Sequence, residues 1–405
     1  MHKKVLVWFP QLSSVTPEGK IKLEGDSNWL FARNIANNIA KNYENVSVVL
    51  VIPKRDQLSE SLFKTSFHDN VFPFPMKFAT KAEAGRFSFD YEEVITLFKT
   101  IIRDHGNPDA VWMNEPCLVM NMKFILNELK LLDSTKIFNY NHWIDNSEFA
   151  KIDHDLRRVS YTLRQTEAVI NSDATFLNSA YAKEMLFKSF KEFGMDAGVY
   201  NEKIATHLHL LDSESILGVT RKPHNLPYKV FIYNHRLSSF GYYQEAFQDL
   251  LYVCDKLPPD SFKVLLTNPS GKNFAKERPY LELVEGLPYG KYLQLLADAD
   301  AQISTFRPGN GGMWSMSIME ALALGTPAFI PNHSGYCEIP STKSYYPLLY
   351  DSLGGLLINL MSVVNDGFNW NAIKPTLTTE KELINQAYNP KTICSMLYSI
   401  LFGER

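Results

Sequence analysis

Short runs of β-branched and aromatic residues alternate with longer stretches of helical period along almost the whole chain. That alternation confines the fold to parallel sheets covered by helices on both faces, because each parallel strand pair needs a crossover long enough to hold a helix. Strands are expected at residues 4–9, 46–52, 109–113, 136–141 and 174–178, with helices at 28–42, 91–105 and 155–170. The pattern lapses over 211–229, where DSESILGVTRKPHNLPYK is rich in Ser, Pro and charge. It restarts with VFIYN, a helix from Tyr243, FKVLLTN, YLELVEGLP, a helix from Tyr289, AQISTF, a further helix and PAFIPN. A chain of 405 residues exceeds a single hydrophobic core, so the fold class is α/β with two doubly wound domains. The first is placed at 1–210, a linker at 211–229 and the second domain at 230–375, followed at 376–405 by a helical tail able to cross back to the first domain.

Hydrophobic residues make up 45% of the chain, enough for two packed cores, yet no apolar run is long enough to span a bilayer. The start, MHKKVLVWFPQLSSVTPEGK, has too brief an apolar run for a signal peptide and no small-residue cleavage site, so it reads as a first strand. Cys117, Cys254, Cys337 and Cys394 stand far apart with no CxxC pair, which argues against a zinc site or a disulfide framework and fits a reducing cytoplasm. The net charge of −3 is spread evenly. Neither a bulk attraction to nucleic acid nor a basic membrane-facing helix is expected from it, although a local basic patch is compatible with it.

In an open parallel sheet, ligands bind beyond the carboxyl ends of the strands. After AQISTF comes RPGNGGMW, residues 307–314, a loop that brings bare backbone amides to the start of a helix. Amides and helix dipole together favour an anion such as a phosphate; a plain strand-to-helix turn is the alternative. Over 313–324 nearly every side chain is apolar or small, so the Glu320 carboxylate needs a partner. That partner is either a protein donor or a ligand hydroxyl pair such as a ribose diol. The strand VFIYN runs out through Asn234 and His235 to Arg236, whose guanidinium can clamp a diphosphate or form a surface ion pair. In the first domain, KIFNYNHWID ends in Asn141 and His142 with Trp143 and Asp145 just beyond, while VWMNEP and TFLNSAY put Asn114, Glu115, Asn178 and Ser179 at similar strand ends. His142 taken alone also fits a satisfied structural histidine. The acidic pair in DAD, 298–300, fits a helix end before a strand, so no metal site is expected.

These residues resemble those of the GT-B nucleotide-sugar glycosyltransferases, two Rossmann-like domains facing across a cleft with the donor held mainly by the second. The resemblance follows the order of elements over almost the whole chain and is concentrated in residues 230–340. Many retaining members carry a Glu-x7-Glu motif, and Glu320-Ala321-Leu322 with Gly325-Thr326-Pro327 matches its second half, which binds the donor ribose. The first Glu of the motif would fall at Gly312, and the Lys that usually follows the phosphate-binding Arg would fall at Gly241. Residues 233–251 and the GYCEIP hairpin look like segments of the tRNA-queuosine mannosyltransferases. IFNYNHWID looks like a strand end of the T-even phage α-glucosyltransferases, which act on hydroxymethylcytosine in DNA.

The resemblance implies a nucleoside diphosphate sugar, UDP-linked, as co-substrate with no further cofactor. It implies transfer with retention to a hydroxymethylated pyrimidine in DNA, by a phage-type enzyme in the host cytoplasm. Donor binding falls to Arg236, Arg307, Gly309, Gly311, Gly312, Met313, Trp314 and Glu320. Arg236 is also the main catalytic group, with His142 and Asp145 positioning sugar or acceptor or acting as base. Asn114, Glu115, Asn141 and Trp143 are expected at the acceptor, and Trp29, Arg33, Arg157 and Arg158 are candidates to stack on bases or meet phosphates. The competing expectations are a tRNA, polysaccharide or lipid acceptor, and a non-catalytic two-lobed protein that closes on a small ligand.

Overall fold

The computed structural model describes residues 3–10, 12, 20–21, 23, 27–58, 67–77, 90–141, 144, 156–222, 224–235, 241–267, 278–284, 287–308, 314–342 and 345–403. They fall into two compact units, one of residues 1–146, 152–210 and 390–405, the other of 147–151 and 211–389.

The first unit runs β1 (Lys4–Phe9), α1 (Ser27–Asn42), β2 (Val46–Pro53), β3 (Val71–Met76), α2 (Tyr91–His105), β4 (Ala110–Met113), α3 (Val119–Glu128), β5 (Lys136–Asn141), α4 (Leu156–Asn171), β6 (Ala174–Leu177), α5 (Ala180–Glu192) and β7 (Ile204–Ala205). Its sheet has the order β3-β2-β1-β4-β5-β6-β7, and every described pairing is parallel. Buried strands of this kind read as continuous apolar runs, and β2 is buried at all eight positions. Helix α2 shows why its segment folds as it does: Asp90 caps the Glu93 amide at 3.0 Å, and Val94, Leu97, Phe98 and Ile101 form one buried stripe. That stripe packs with Val5, Val7, Val111 and Met113 of the sheet.

The second unit runs α6 (Ser213–Leu217), β8 (Lys229–Tyr233), α7 (Gly241–Cys254), β9 (Phe262–Leu266), β10 (Leu281–Leu283), α8 (Tyr289–Asp298), β11 (Ala301–Ile303), α9 (Met316–Leu324), β12 (Ala328–Pro331), β13 (Leu349–Tyr350), α10 (Leu353–Val364) and α11 (Trp370–Ala387). The order is β10-β9-β8-β11-β12-β13, again parallel throughout the described pairings. In each sheet the order reverses once, between β1 and β4 and between β8 and β11. A crevice opens at such a reversal, beyond the carboxyl ends of the two strands.

Three segments differ from the sequence reading. Residues 211–229 hold α6 and belong to the second unit. The expected boundary at 376 lies inside α11, and it is the last helix, α12 (Pro390–Phe402), that lies with the first unit, its Tyr398 ring stacked on Tyr43 at 4.0 Å. GYCEIP is no hairpin but is mostly a 3-10 turn, Ser334–Glu338, because Tyr336 is drawn under the end of β11, where it stacks on Phe306 at 4.5 Å. Among the described residues no helix is long and apolar enough to cross a membrane, and no cluster of acidic, His and Cys side chains could hold a metal ion. Asp298 and Asp300 serve the backbone, accepting from the Lys222 and Val230 amides at 2.6 and 2.7 Å at the amino end of β11.

Candidate functional site

The reversal between β8 and β11 gathers the polar groups of the second unit. Strand β8 stops at Tyr233 and β11 at Ile303, so Asn234, His235 and Ser304 lie side by side at the carboxyl edge. Helix α9 begins beside them, Ser315 capping the Ile318 amide at 3.4 Å.

Glu320 sits in the middle of α9, where Ile318, Met319, Ala321, Leu322, Ala323 and Leu324 are all buried. Its partner is a pair of phenols from α8. Tyr289 donates to Oε1 at 2.8 Å and Tyr292 to Oε2 at 2.9 Å. Tyr289 and Tyr292 stand three residues apart and so share a helix face. The protein-donor alternative is therefore realised. The diol alternative survives it, since a carboxylate offers about four acceptor positions and two are used. Burial raises the Glu320 carboxyl; the Tyr289 and Tyr292 hydroxyls pull it back, and the Asp212 charge adds to the rise.

Behind this pair runs a chain of amides. Gln302 Nε2 lies 3.2 Å from Asn234 Oδ1, and Asn234 Nδ2 donates to the Tyr292 hydroxyl oxygen at 2.8 Å. His235, 3% exposed, has Nε2 2.9 Å from the Gln302 amide and 2.7 Å from Ser304 Oγ, with Nδ1 3.1 Å from Ser317 Oγ. Burial lowers its pKa to about 3, against a smaller opposing pull from the Ile303 backbone, so the ring is neutral near pH 7.

Arg307, expected to face a donor, is already engaged. Its guanidinium binds both oxygens of Asp249 on α7 at 2.5 and 2.6 Å and reaches Glu245 at 3.2 Å. The Asp249 hydrogen bonds raise its pKa further. It therefore fixes the start of the 307–314 loop to α7. Trp314, half-buried, meets Tyr388 edge-on at 6.1 Å. Gly309, Gly311, Gly312, Met313 and Arg236 lie outside the described residues, as do His142, Trp143 and Asp145.

In the first unit the strand-end residues are buried. Asn114, beyond β4, accepts from Trp8 Nε1 at 3.2 Å, while its own amide nitrogen has no partner among the described residues. Glu115 accepts from the Cys117 amide at 3.2 Å and caps a 3-10 turn. Asn141 donates to Asn139 at 2.8 Å and accepts from Gln165 at 3.4 Å. Ser179 caps α5 through the Ala182 amide at 3.0 Å and donates to Asn178 Oδ1 at 3.1 Å. The Trp29 expectation is overturned: the ring is 2% exposed and packs edge-on to Phe67, so it cannot stack on a base. Arg33 is half-buried and donates to Asn34, and the Arg157 and Arg158 side chains lie outside the described ones.

Sequence reasoning missed Tyr289, Tyr292, Gln302 and Asp249. The demand for donors around Glu320 was the available signal, and a tyrosine pair three residues apart at a helix start answers it.

No protein-family model and no curated protein matches the chain. Solved structures do. The chain is similar to α,α-trehalose 6-phosphate synthase from Burkholderia multivorans at 10% identity, covering 99% of this chain and 96% of that one with a TM-score of 0.63. It is similar to the catalytic domain of starch synthase IV from Arabidopsis thaliana, bound to ADP and acarbose, at 12% identity, 99% coverage of each chain and a TM-score of 0.61. It is also similar to Anabaena Alr3699/HepE in complex with UDP and glucose, at 15% identity, 99% coverage of each chain and a TM-score of 0.59. Full-length agreement at such low identity is agreement of fold: two parallel sheets with flanking helices in the GT-B arrangement. The chain has the GT-B fold.

Proposed function

We propose that the protein is a glycosyltransferase that takes its sugar from a nucleoside diphosphate donor bound by the second unit. The observation that carries this reading is Glu320, a carboxylate held by two phenols at the carboxyl edge where the second sheet reverses its strand order. Two solved structures of the same fold hold ADP with acarbose and UDP with glucose. In this reading Glu320 accepts from the ribose hydroxyls, and Arg236 with the amides of 309–313 holds the diphosphate. Arg307 and Trp314 frame that loop.

As the bond between the sugar anomeric carbon and the phosphate oxygen breaks, negative charge grows on the leaving diphosphate. Fixed cationic and amide donors there lower the barrier, and Arg236→Ala is expected to lose about 3 kcal/mol, roughly a hundredfold in turnover, with the fold intact. The acceptor hydroxyl bonds to the anomeric carbon from the face the diphosphate leaves, its proton passing to the departing phosphate oxygen. Retention follows. His142 and Asp145 then position sugar and acceptor.

For the acceptor we favour a hydroxymethylated pyrimidine in DNA, on the strength of the 137–145 strand end. Reaching such a base in a duplex requires flipping it from the stack at a cost of about a few kcal/mol. Asn114, Glu115, Asn141 and Trp143 belong to this acceptor side. The test is to incubate the protein with a panel of nucleotide sugars and with hydroxymethylated DNA, plain DNA and tRNA, then measure nucleoside masses. A hexose or pentose increment on hydroxymethylated DNA alone is expected. An increment on tRNA alone would move the acceptor there, and no increment on any nucleic acid would overturn the acceptor assignment.

A further inference from the structure

The hydrogen bonds behind Glu320 have a consistent direction. The Gln302 amide donates to Asn234 Oδ1, the Asn234 amide donates to the Tyr292 oxygen, and the Tyr292 hydroxyl donates to Glu320 Oε2. The Tyr292 hydroxyl has one proton and gives it to Glu320 while its oxygen accepts from Asn234, so it cannot turn round without breaking a second bond; the Gln302 nitrogen also meets Ser304 Oγ at 2.8 Å and His235 Nε2 at 2.9 Å, and Asn234 the Ser317 carbonyl at 3.5 Å. Gln302 is fully buried inside β11 and Asn234 follows directly on β8, so the chain is rooted in the two strands that flank the reversal. Tyr289 reaches the other carboxylate oxygen, but its side is open: the residue is 42% exposed and water can replace its hydroxyl.

A vicinal diol needs two acceptor positions at a fixed separation. A carboxylate that rotates about its terminal bond presents that spacing only part of the time, whereas one clamped through Oε2 presents it always. We propose that Tyr292, held by Asn234 and Gln302, is a positioning residue that fixes the Glu320 carboxylate for bidentate capture of a ribose 2′,3′-diol and so sets discrimination between ribo- and deoxyribonucleotide donors. This rests on the donor-site reading above and deepens it. Tyr292 acts through Glu320 and touches no reacting atom.

The test is isothermal titration of UDP and of 2′,3′-dideoxy-UDP into the wild-type protein, Tyr292→Phe, Tyr289→Phe and Asn234→Ala. The wild type should prefer UDP. Tyr292→Phe should reduce that preference by about tenfold, as expected for loss of one hydrogen bond to a charged group, while binding of the dideoxy ligand is unchanged. Tyr289→Phe should have a smaller effect. Asn234→Ala, which removes the bond to Tyr292 and a 3.5 Å contact with the Ser317 carbonyl but none to Glu320 itself, should reduce the preference in the same direction and covers the case in which Tyr292→Phe fails to fold. Combining Glu320→Gln with Tyr292→Phe should lower the preference no further than Glu320→Gln alone. A wild-type preference that survives in both Tyr292→Phe and Asn234→Ala would overturn the inference and leave the donor site standing. A wild type that binds neither ligand, nor ADP nor GDP, would overturn the donor-site reading and the inference with it.

Discussion

Two groups at the β8–β11 edge, the buried His235 and the half-buried Glu320, make opposite demands on pH. Burial lowers the His235 pKa from 6.5 to about 3, so the folded protein binds fewer protons there than the unfolded chain. Its contribution to stability is present above pH 6.5 and is lost as pH falls toward 3. Glu320 is raised by burial, so its contribution is present below its ordinary value of 4.5 and is lost as pH rises through its higher folded value. His235→Gln should therefore flatten the fall in stability between pH 7 and pH 4, read as the urea midpoint across that range. A variant that loses stability in acid as steeply as the wild type would contradict the burial of a neutral ring. Glu320→Gln should leave the pH 7 midpoint close to that of the wild type while weakening donor binding, because it removes a charge the fold does not favour.

At the scale of elements, α9 depends on α11 for its ending. Gly325 takes φ +81°, the left-handed conformation that closes a helix, and Lys381 and Asn385 donate to the carbonyls of Leu324 and Ala323 at 3.2 and 2.8 Å. Gly325→Ala should cost about 1 kcal/mol from conformation alone. Its Cβ would also meet Lys381 Cδ at 3.2 Å. On the same helix Glu380 is fully buried and accepts from the Ser341 and Thr342 amides and the Thr342 hydroxyl at 2.6, 3.0 and 2.8 Å. Glu380→Ala strands those donors and should cost about 3 kcal/mol, seen as a lower melting temperature. A change within error would show that the 341–342 turn is held by other contacts. These elements were unevenly legible in the sequence. Continuous apolar runs such as VSVVLVIP announce a strand, whereas VFPFPM hides β3 behind Pro73 and Pro75, which an edge strand tolerates. Glu320 announced its need for donors, but local spacing cannot show that they stand on α8, 28 and 31 residues away.

At the scale of the molecule, each unit is built round one reversal of strand order, and the last helix belongs with the unit that begins the chain. Within that unit α12 buries Ile393, Cys394, Leu397 and Leu401, and Asn45 donates to the Tyr398 hydroxyl at 3.2 Å. Removing residues 390–405 should expose the α1 face and lower the melting temperature of the first unit, with dye binding to the uncovered apolar surface as a second readout. Nucleoside diphosphate release is the direct measure of whether the second unit binds a nucleotide sugar through Glu320. Wild type and Glu320→Ala are compared over a series of nucleotide sugar concentrations with hydroxymethylated DNA present. The wild type should release nucleoside diphosphate and the variant should show a KM raised about tenfold or more, the loss expected when a hydrogen-bonded charge is removed. Equal KM values, or no release from any nucleotide sugar by the wild type, would contradict it.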